Sequence, residues 1–473
     1  MIVRAGRRAE VAILVACAAA CTLLLPSIEG QSTSVRSGTS ARASHSMRAP
    51  DRPSPSAESS GANSRTGREP ASGYYPSPDP VPSGRDLFGR AQPDPIERPE
   101  YRRNAHPIER SETAATSMMV EVADDGSMLG LTSVITAAVS PESRSGAAGS
   151  ARFVESQVVV GQEMKRSFEA ALRAVRARYP RWEPGIIEFS FSEKRRPHDG
   201  ASAGTAFSVM LLSMLEGFDI DAKCAVTGDI SADWKVRRIS GTVAKLRGAS
   251  GEGCLAAGIP RDNAEQIPDL ILMYGDQAIR DMQVLSIGTL QDAVALMRTD
   301  RAPDLAEAMK LFAELQPKLK TARADGENAE IEATLQRVLS LAPNHESARW
   351  LLKEADGTAP RQLSEAAALY HMMLAMYPYR DILLKGDAVS RRTISPAVTT
   401  WARKQLLQLR PITPKDLQQL LLDCASIVET SELVAARQSP PGALDPRRDA
   451  WYAHYKLLTN DRDMIEKIIH AGY

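Results

Sequence analysis

Apolar and polar positions divide this chain into stretches of very different character. After a basic start at Arg4, Arg7 and Arg8, the run from Val11 to Leu25 is almost entirely apolar and rich in Ala and Leu. A run of about 15 apolar residues suits the hydrophobic region of a secretory leader better than a full membrane span. Gly30, with Ile28 two positions before it, offers a cleavage site, and Leu14-Val15-Ala16-Cys17 has the form of a lipidation box. Cleaved export, an uncleaved membrane anchor and lipidation therefore all stay open for residues 1–30. Each places the body of the protein outside the cytoplasm, secreted or periplasmic. From residue 31 to 115 Ser, Pro, Arg and Gly dominate and aliphatic clusters nearly vanish. Such a stretch cannot bury enough apolar surface to offset the entropy of ordering it, so a disordered tether is expected. Tyr74, Tyr75 and Tyr101 read as parts of this solvated linker.

Beyond residue 116 the periodicity is mixed. Ile186-Ile187-Glu188-Phe189-Ser190-Phe191 alternates toward its end and predicts a strand that runs up to the turn Pro197-His198-Asp199-Gly200. Thr205 to Leu215 is largely apolar and is stopped by Gly217, which predicts a buried helix. Ser202 then falls at that helix's N-terminal end, where unpaired amides and the positive end of the dipole are concentrated. Lys245 falls one turn into a further predicted helix, after Gly241.

Residues 301–473 read as helical. Glu332 to His345 has the pattern of a helix with its exit turn, and Ala366 to Tyr379 repeats it. Pro343 and Pro378 stand 35 positions apart, close to the ~34-residue period of tetratricopeptide units. An all-α C-terminal domain follows, tetratricopeptide-like or a generic helical bundle. Either could hold a protein partner in a groove. Trp401, Trp451, Tyr452 and Tyr455 are expected in its core.

Composition narrows the function classes. The formal net charge is zero, and no basic stripe with interleaved aromatics is present, so nucleic acid is not the expected partner. A chain of 473 residues has room for two or three domains. Of five cysteines, Cys17 and Cys21 lie in the apolar leader, leaving Cys224, Cys254 and Cys424. That is too few for a disulfide framework, and no Cys/His cluster has zinc spacing. A Cys224–Cys254 bridge and buried free thiols are both compatible with the spacing.

The chemistry centres on Ser202 and Lys245. Serine is a poor nucleophile without a base, and a desolvated lysine can be that base. The ordinary alternatives are a serine N-cap and a solvated surface lysine. Three segments decide between them. Pro197-His198-Asp199-Gly200-Ala201-Ser202-Ala203-Gly204 resembles the Pro-Lys-Asp-Gly-Pro-Ser-Ala-Gly segment around the nucleophile of the Lon protease family. Thr227-Gly228-Asp229-Ile230 is similar to that family's Thr-Gly-Glu-Ile. Ser240-Gly241-Thr242-Val243-Ala244-Lys245-Leu246 is similar to its Gly-Gly-x-Lys-Glu-Lys-Leu. Val158 to Ser167, Ala257-Gly258-Ile259-Pro260 and Asn263 extend the resemblance over residues from about Met118 to Met297. The chain departs from the family's pattern at His198, Ala201, Asp229, Ser240, Val243 and Ala244.

The resemblance implies an α+β Lon-type proteolytic domain over residues 116–300. It implies Ser202 as nucleophile, Lys245 as base, and Thr227 as a hydrogen-bond partner of the lysine. Asp199 and Gly200 shape the turn before the nucleophile. His198 is near Ser202 in sequence, but the family places no base there. No metal or other cofactor is implied. The family's ATPase module has no counterpart, because no G-x-x-x-x-G-K-[ST] phosphate loop occurs in these 473 residues. The expectation is an ATP-independent serine endopeptidase acting on unfolded or flexible polypeptide, with homo-oligomerisation left open. The competing reading is an inactive Lon-like scaffold that binds peptides or partner proteins.

Overall fold

The computed structural model describes residues 108–123, 127–140, 150–153, 160–182, 184–192, 198–321, 328–385 and 394–459. All belong to one of the two units into which the chain divides, the one that contains residues 103–473. The leader and nearly all of the expected tether lie outside the described residues. Among the described residues no helix is long and apolar enough to cross a membrane.

The fold is built on a seven-stranded mixed sheet, in the order Ser150–Phe153, Ile186–Phe191, Met128–Val139, Glu112–Val122, Cys224–Val226, Ala256–Pro260, Gln283–Ile287. Strands β1 (Glu112–Val122) and β2 (Met128–Val139) form a long antiparallel hairpin, paired from Glu112↔Ala138 to Val122↔Met128. Strand β3 (Ser150–Phe153) pairs parallel with β4 (Ile186–Phe191), the strand expected from its alternation. On the other side β5 (Cys224–Val226), β8 (Ala256–Pro260) and β9 (Gln283–Ile287) run parallel, starting from β1. These three strands are buried throughout, because both faces of this half of the sheet are covered. A small antiparallel pair, β6 (Asp229–Ile230) and β7 (Val236–Arg237), stands beside the main sheet.

One face carries α1 (Gln162–Arg178) and α2 (Gly204–Glu216). Helix α2 is apolar on nearly every side and buried along almost its whole length, as the run from Thr205 to Leu215 implied. It ends at Gly217, whose φ of +79° is a conformation that favours glycine. Phe168 of α1, Phe207 of α2 and Phe189 of β4 meet edge to face, with Phe189 5.0 Å from each of the other two rings. The opposite face carries α3 (Thr242–Gly251), α4 (Ile267–Tyr274) and α5 (Gln277–Asp281), while α6 (Leu290–Met297) returns to the first core.

Strand β1 starts at Glu112, Thr113 and Ala115 are buried, and Ile108 packs on the core. At the other end, α7 (Pro303–Thr321), α8 (Asn328–Leu341) and α9 (Glu346–Ala355) do not start a separate domain. Their Phe312, Leu315, Leu335, Val338 and Leu351 join Ala257, Ile259 and Val284 of the sheet in a single core. The turn between α8 and α9 also closes the edge of β9. Asn344 and Ser286 exchange hydrogen bonds, and the Ser347 hydroxyl accepts from the Val284 amide at 2.8 Å. A covered edge cannot pair with another chain.

A third core holds α10 (Glu365–Met376), α11 (Arg380–Lys385), α12 (Pro396–Leu409), α13 (Gln418–Ala435) and α14 (Asp445–Thr459). The two helices with the 35-residue phase therefore lie in different cores, α8 under the sheet and α10 among the last helices. Trp451 and Tyr455 are buried as expected, stacked 5.0 Å apart, and Tyr452 is half-buried. Trp401 corrects the expectation. It is 40% exposed, because Thr399, Ala402, Leu406 and Leu409 form the inward stripe of α12 and leave position 401 outside. Cys224, Cys254 and Cys424 are free and buried.

Candidate active site

Lys245 and Ser202, 43 residues apart in sequence, meet with Nζ 2.8 Å from Oγ. Ser202 sits in a short 3-10 turn, Ala201–Ala203, that leads directly into α2. This turn is held from three sides. The Gly228 amide donates to the Ser202 carbonyl at 2.9 Å. The Thr205 amide and hydroxyl both donate to the Gly228 carbonyl at 2.9 Å. The Ser167 hydroxyl of α1 donates to the Ala201 carbonyl at 3.0 Å. The serine hydroxyl is thereby presented by a rigid backbone rather than by a free loop.

Asp199 and Gly200 lie in the turn ahead of Ser202. Helix α1 has no side-chain cap from its own N-cap residue, Gly161. Asp199 supplies one from across the fold, its Oδ1 accepting from the Met164 amide at 3.1 Å and from the Gly200 amide at 2.9 Å. A side chain at Gly161 would overlap the Asp199 carboxylate, with a Cβ only 2.1 Å from its Cγ. Gly200 takes φ +110°, which L side chains rarely adopt. His198 is buried with its ring stacked on Phe191 at 4.3 Å, a packing role.

Lys245 lies in the first turn of α3, after Gly241 in the left-handed region. It is 2% exposed. Burial disfavours the charged form and lowers the amine from its ordinary value of 10.5 to about 7. The neighbouring hydroxyls complete the arrangement. Thr227 Oγ1 donates to the Ser202 carbonyl at 3.2 Å, which commits its proton and leaves its lone pairs to accept from Lys245 Nζ at 3.2 Å. With one amine hydrogen directed at Thr227, the lone pair of the neutral amine can face the Ser202 hydroxyl. A base within hydrogen-bond reach of a hydroxyl, with a pKa near neutrality, is equipped to remove its proton.

Five residues singled out in the sequence thus converge on one place: Ser202, Lys245 and Thr227 in mutual contact, Asp199 and Gly200 supporting the turn. Sequence reasoning assigned no role to Ser167, Thr205, Gly228 or Asn263. The buried Asn263 accepts from the Ile239 amide at 3.0 Å and donates to the Ile239 carbonyl at 2.9 Å, fixing the chain just ahead of Gly241. Ser167 and Asn263 both lie in segments similar to the Lon family, which was the available signal. Among the described residues no cluster of His, Cys, Asp or Glu could hold a metal ion.

A serine hydroxyl hydrogen-bonded to a buried lysine amine at the start of a helix is a constellation of the serine-hydrolase class. Residues 144–297 match the family model of the Lon protease (S16) C-terminal proteolytic domain. Its relatives include the Lon protease of Vibrio parahaemolyticus, 31% identical over 151 residues, 30% of this chain and 19% of that protein. The Lon protease of Haemophilus influenzae is 31% identical over 169 residues, 34% of this chain and 20% of its own. That of Escherichia coli K12 is 30% identical over 144 residues, 29% of this chain and 18% of its own. The matched part of the chain thus spans a fifth or less of these relatives' length.

Proposed function

We propose that this protein is a serine endopeptidase that works through a Ser202–Lys245 dyad and an acyl-enzyme intermediate. The observation that carries the reading is the 2.8 Å contact between Ser202 Oγ and a buried lysine amine whose pKa is near 7. Neutral Lys245 takes the hydroxyl proton as Ser202 Oγ attacks the scissile carbonyl carbon. The resulting ammonium then protonates the departing amine as the C–N bond breaks. Water attacks the ester, Lys245 takes its proton, and the carboxylic acid product leaves with the Ser202 hydroxyl restored. Thr227 orients the lysine throughout.

Cleavage is proposed to proceed without ATP, on polypeptide that is already unfolded or flexible. The apolar run Val11 to Leu25 supports a place outside the cytoplasm, with the protein exported or held at the membrane by its N-terminus. The helices beyond residue 360, tetratricopeptide-like or a plain bundle, are proposed to receive a protein partner, with the exposed Trp401 and Leu407 available for contact.

The test incubates the purified chain with an unfolded casein-like protein without ATP, in parallel with a fluorophosphonate probe. Cleavage and labelling at Ser202 are expected, both lost in Ser202→Ala and Lys245→Ala. A parent that binds peptide yet neither cleaves nor takes up the probe would overturn the reading in favour of a scaffold.

A further inference from the structure

Something must hold Lys245 dry and within reach of Ser202, and the helix that carries it is poorly equipped to do so alone. Helix α3 has ten residues and no side-chain N-cap. Its placement comes from an unusually close crossing with β2. A Cβ on Gly130 of β2 would lie 1.7 Å from the Ala244 carbonyl oxygen and 2.9 Å from the Lys245 amide nitrogen. A Cβ on Gly248, one turn further along α3, would lie 2.2 Å from the Gly130 carbonyl carbon. The two backbones therefore touch with no side chain between them. At the far end of α3, Thr132 of β2 grips Glu252, its amide 3.2 Å from both carboxylate oxygens and its hydroxyl bonded to one of them.

The geometry points to this β2–α3 seam, Gly130 against Ala244 and Gly248 with Thr132 on Glu252, as the positioning element of the catalytic lysine. The inference rests on the reading of Lys245 as the base and deepens it. Lys245 is the residue next to Ala244, so any side chain at Gly130 wedges the helix away at the very point where the lysine leaves it. Real Cβ contacts essentially never fall below 3.0 Å, so the backbones would separate by about an ångström or more. A displacement of that size carries Nζ out of proton-transfer range and commonly lowers a rate by about a hundredfold. It also opens a path for water to an amine that burial now keeps neutral. The other charged groups on the packed elements are engaged away from Nζ or exposed. Arg247 lies over the Tyr274 ring of α4, Asp269 of α4 accepts from Ser364, and Glu112 and Glu121 of β1 face solvent.

The test compares the full chain with Gly130→Ala, Gly248→Ala and Gly251→Ala, the last a site on the same helix where a Cβ meets nothing within 4 Å. Lysine 13C NMR titration follows the Lys245 side chain, and fluorophosphonate labelling gives the acylation rate at each pH. The first two variants should label Ser202 about a hundredfold more slowly, with the Lys245 midpoint moved from about 7 toward 10.5. Gly251→Ala should match the parent in both. A lysine midpoint near 7 and an unchanged rate in folded Gly130→Ala and Gly248→Ala would overturn the inference. If either fails to fold, Thr132→Val and Glu252→Gln decide it by loosening the seam without adding bulk, and an unmoved midpoint in both sinks it. A parent that is never labelled would instead defeat the peptidase reading, while the NMR titration still tests the seam.

Discussion

At the scale of single residues, the dyad predicts a particular dependence on pH. Only neutral Lys245 accepts the Ser202 proton, so the rate of acylation should rise with pH through an apparent pKa of about 7 and level off above it. Single-turnover labelling across pH checks this, and a limb near 10 would mean a solvated lysine. The same shift links to stability. Because the folded state lowers the lysine pKa, the unfolded chain binds more protons between about 7 and 10.5, so stability should increase with pH across that window. Below about 7 the cost of charging a buried amine is fully present. Denaturant melts of the parent and of Lys245→Met at pH 6 and pH 9 would show it, the difference between the two proteins shrinking at the higher pH. Thr227 is the second point of leverage. Thr227→Val keeps the shape but removes the oxygen that accepts from Nζ at 3.2 Å, so acylation should slow by roughly ten- to a hundredfold with the fold intact by circular dichroism.

Elements meet at the site through their ends. The 3-10 turn that bears Ser202 touches the N-terminal half of α1 through Ser167, and Asp199 caps that helix from outside. Removing a helix cap costs about 1 kcal/mol. Asp199→Ala is therefore expected to lower thermal stability by that order and to loosen the turn before the nucleophile, whereas Asp199→Asn should retain most of both. Thermal melts together with the probe-labelling rate separate the two effects. Retention of full activity and stability in Asp199→Ala would show that the turn holds itself.

For the whole molecule, the helices that follow residue 300 matter to the fold of the sheet domain itself. Phe312, Leu315 and Leu335 fill the core beneath β8 and β9, and Asn344 and Ser347 seal the edge of β9. A chain ending at residue 300 would expose that apolar layer together with an open strand edge, a recipe for association between copies. It should aggregate, whereas a chain ending at residue 360 should stay monodisperse and keep probe labelling at Ser202. Size-exclusion chromatography of the two truncations checks this. The last helices are coupled to the same body through α4. Asp269 accepts from both the amide and the hydroxyl of Ser364 at 2.7 Å, and Leu272 and Met273 pack into the third core.

The sequence by itself determined much of the local structure around the candidate site. Ser202, Lys245, Thr227, Asp199 and Gly200 were singled out through the resemblance of their segments to the Lon family, since a serine at a helix start and a lone lysine carry no such signal by spacing alone. The strand Ile186–Phe191 and the buried helix Gly204–Glu216 were legible from the pattern of their apolar positions. Contacts between distant segments leave no periodic trace. The roles of Ser167 and Asn263, each bonding to the backbone of another element, could not be read from spacing. Nor could the close crossing at Gly130, since a strand glycine looks alike whether it is idle or pressed against a helix. The packing of the helices after residue 300 on the sheet was not legible either, because apolar positions show that a helix is buried, not what buries it. Only the tertiary structure decided that α7 to α9 complete the sheet's second layer, and that a buried lysine of α3 meets the serine of the turn ahead of α2. Burial is a property of packing between elements, and with it come the lowered pKa and the reach of Lys245.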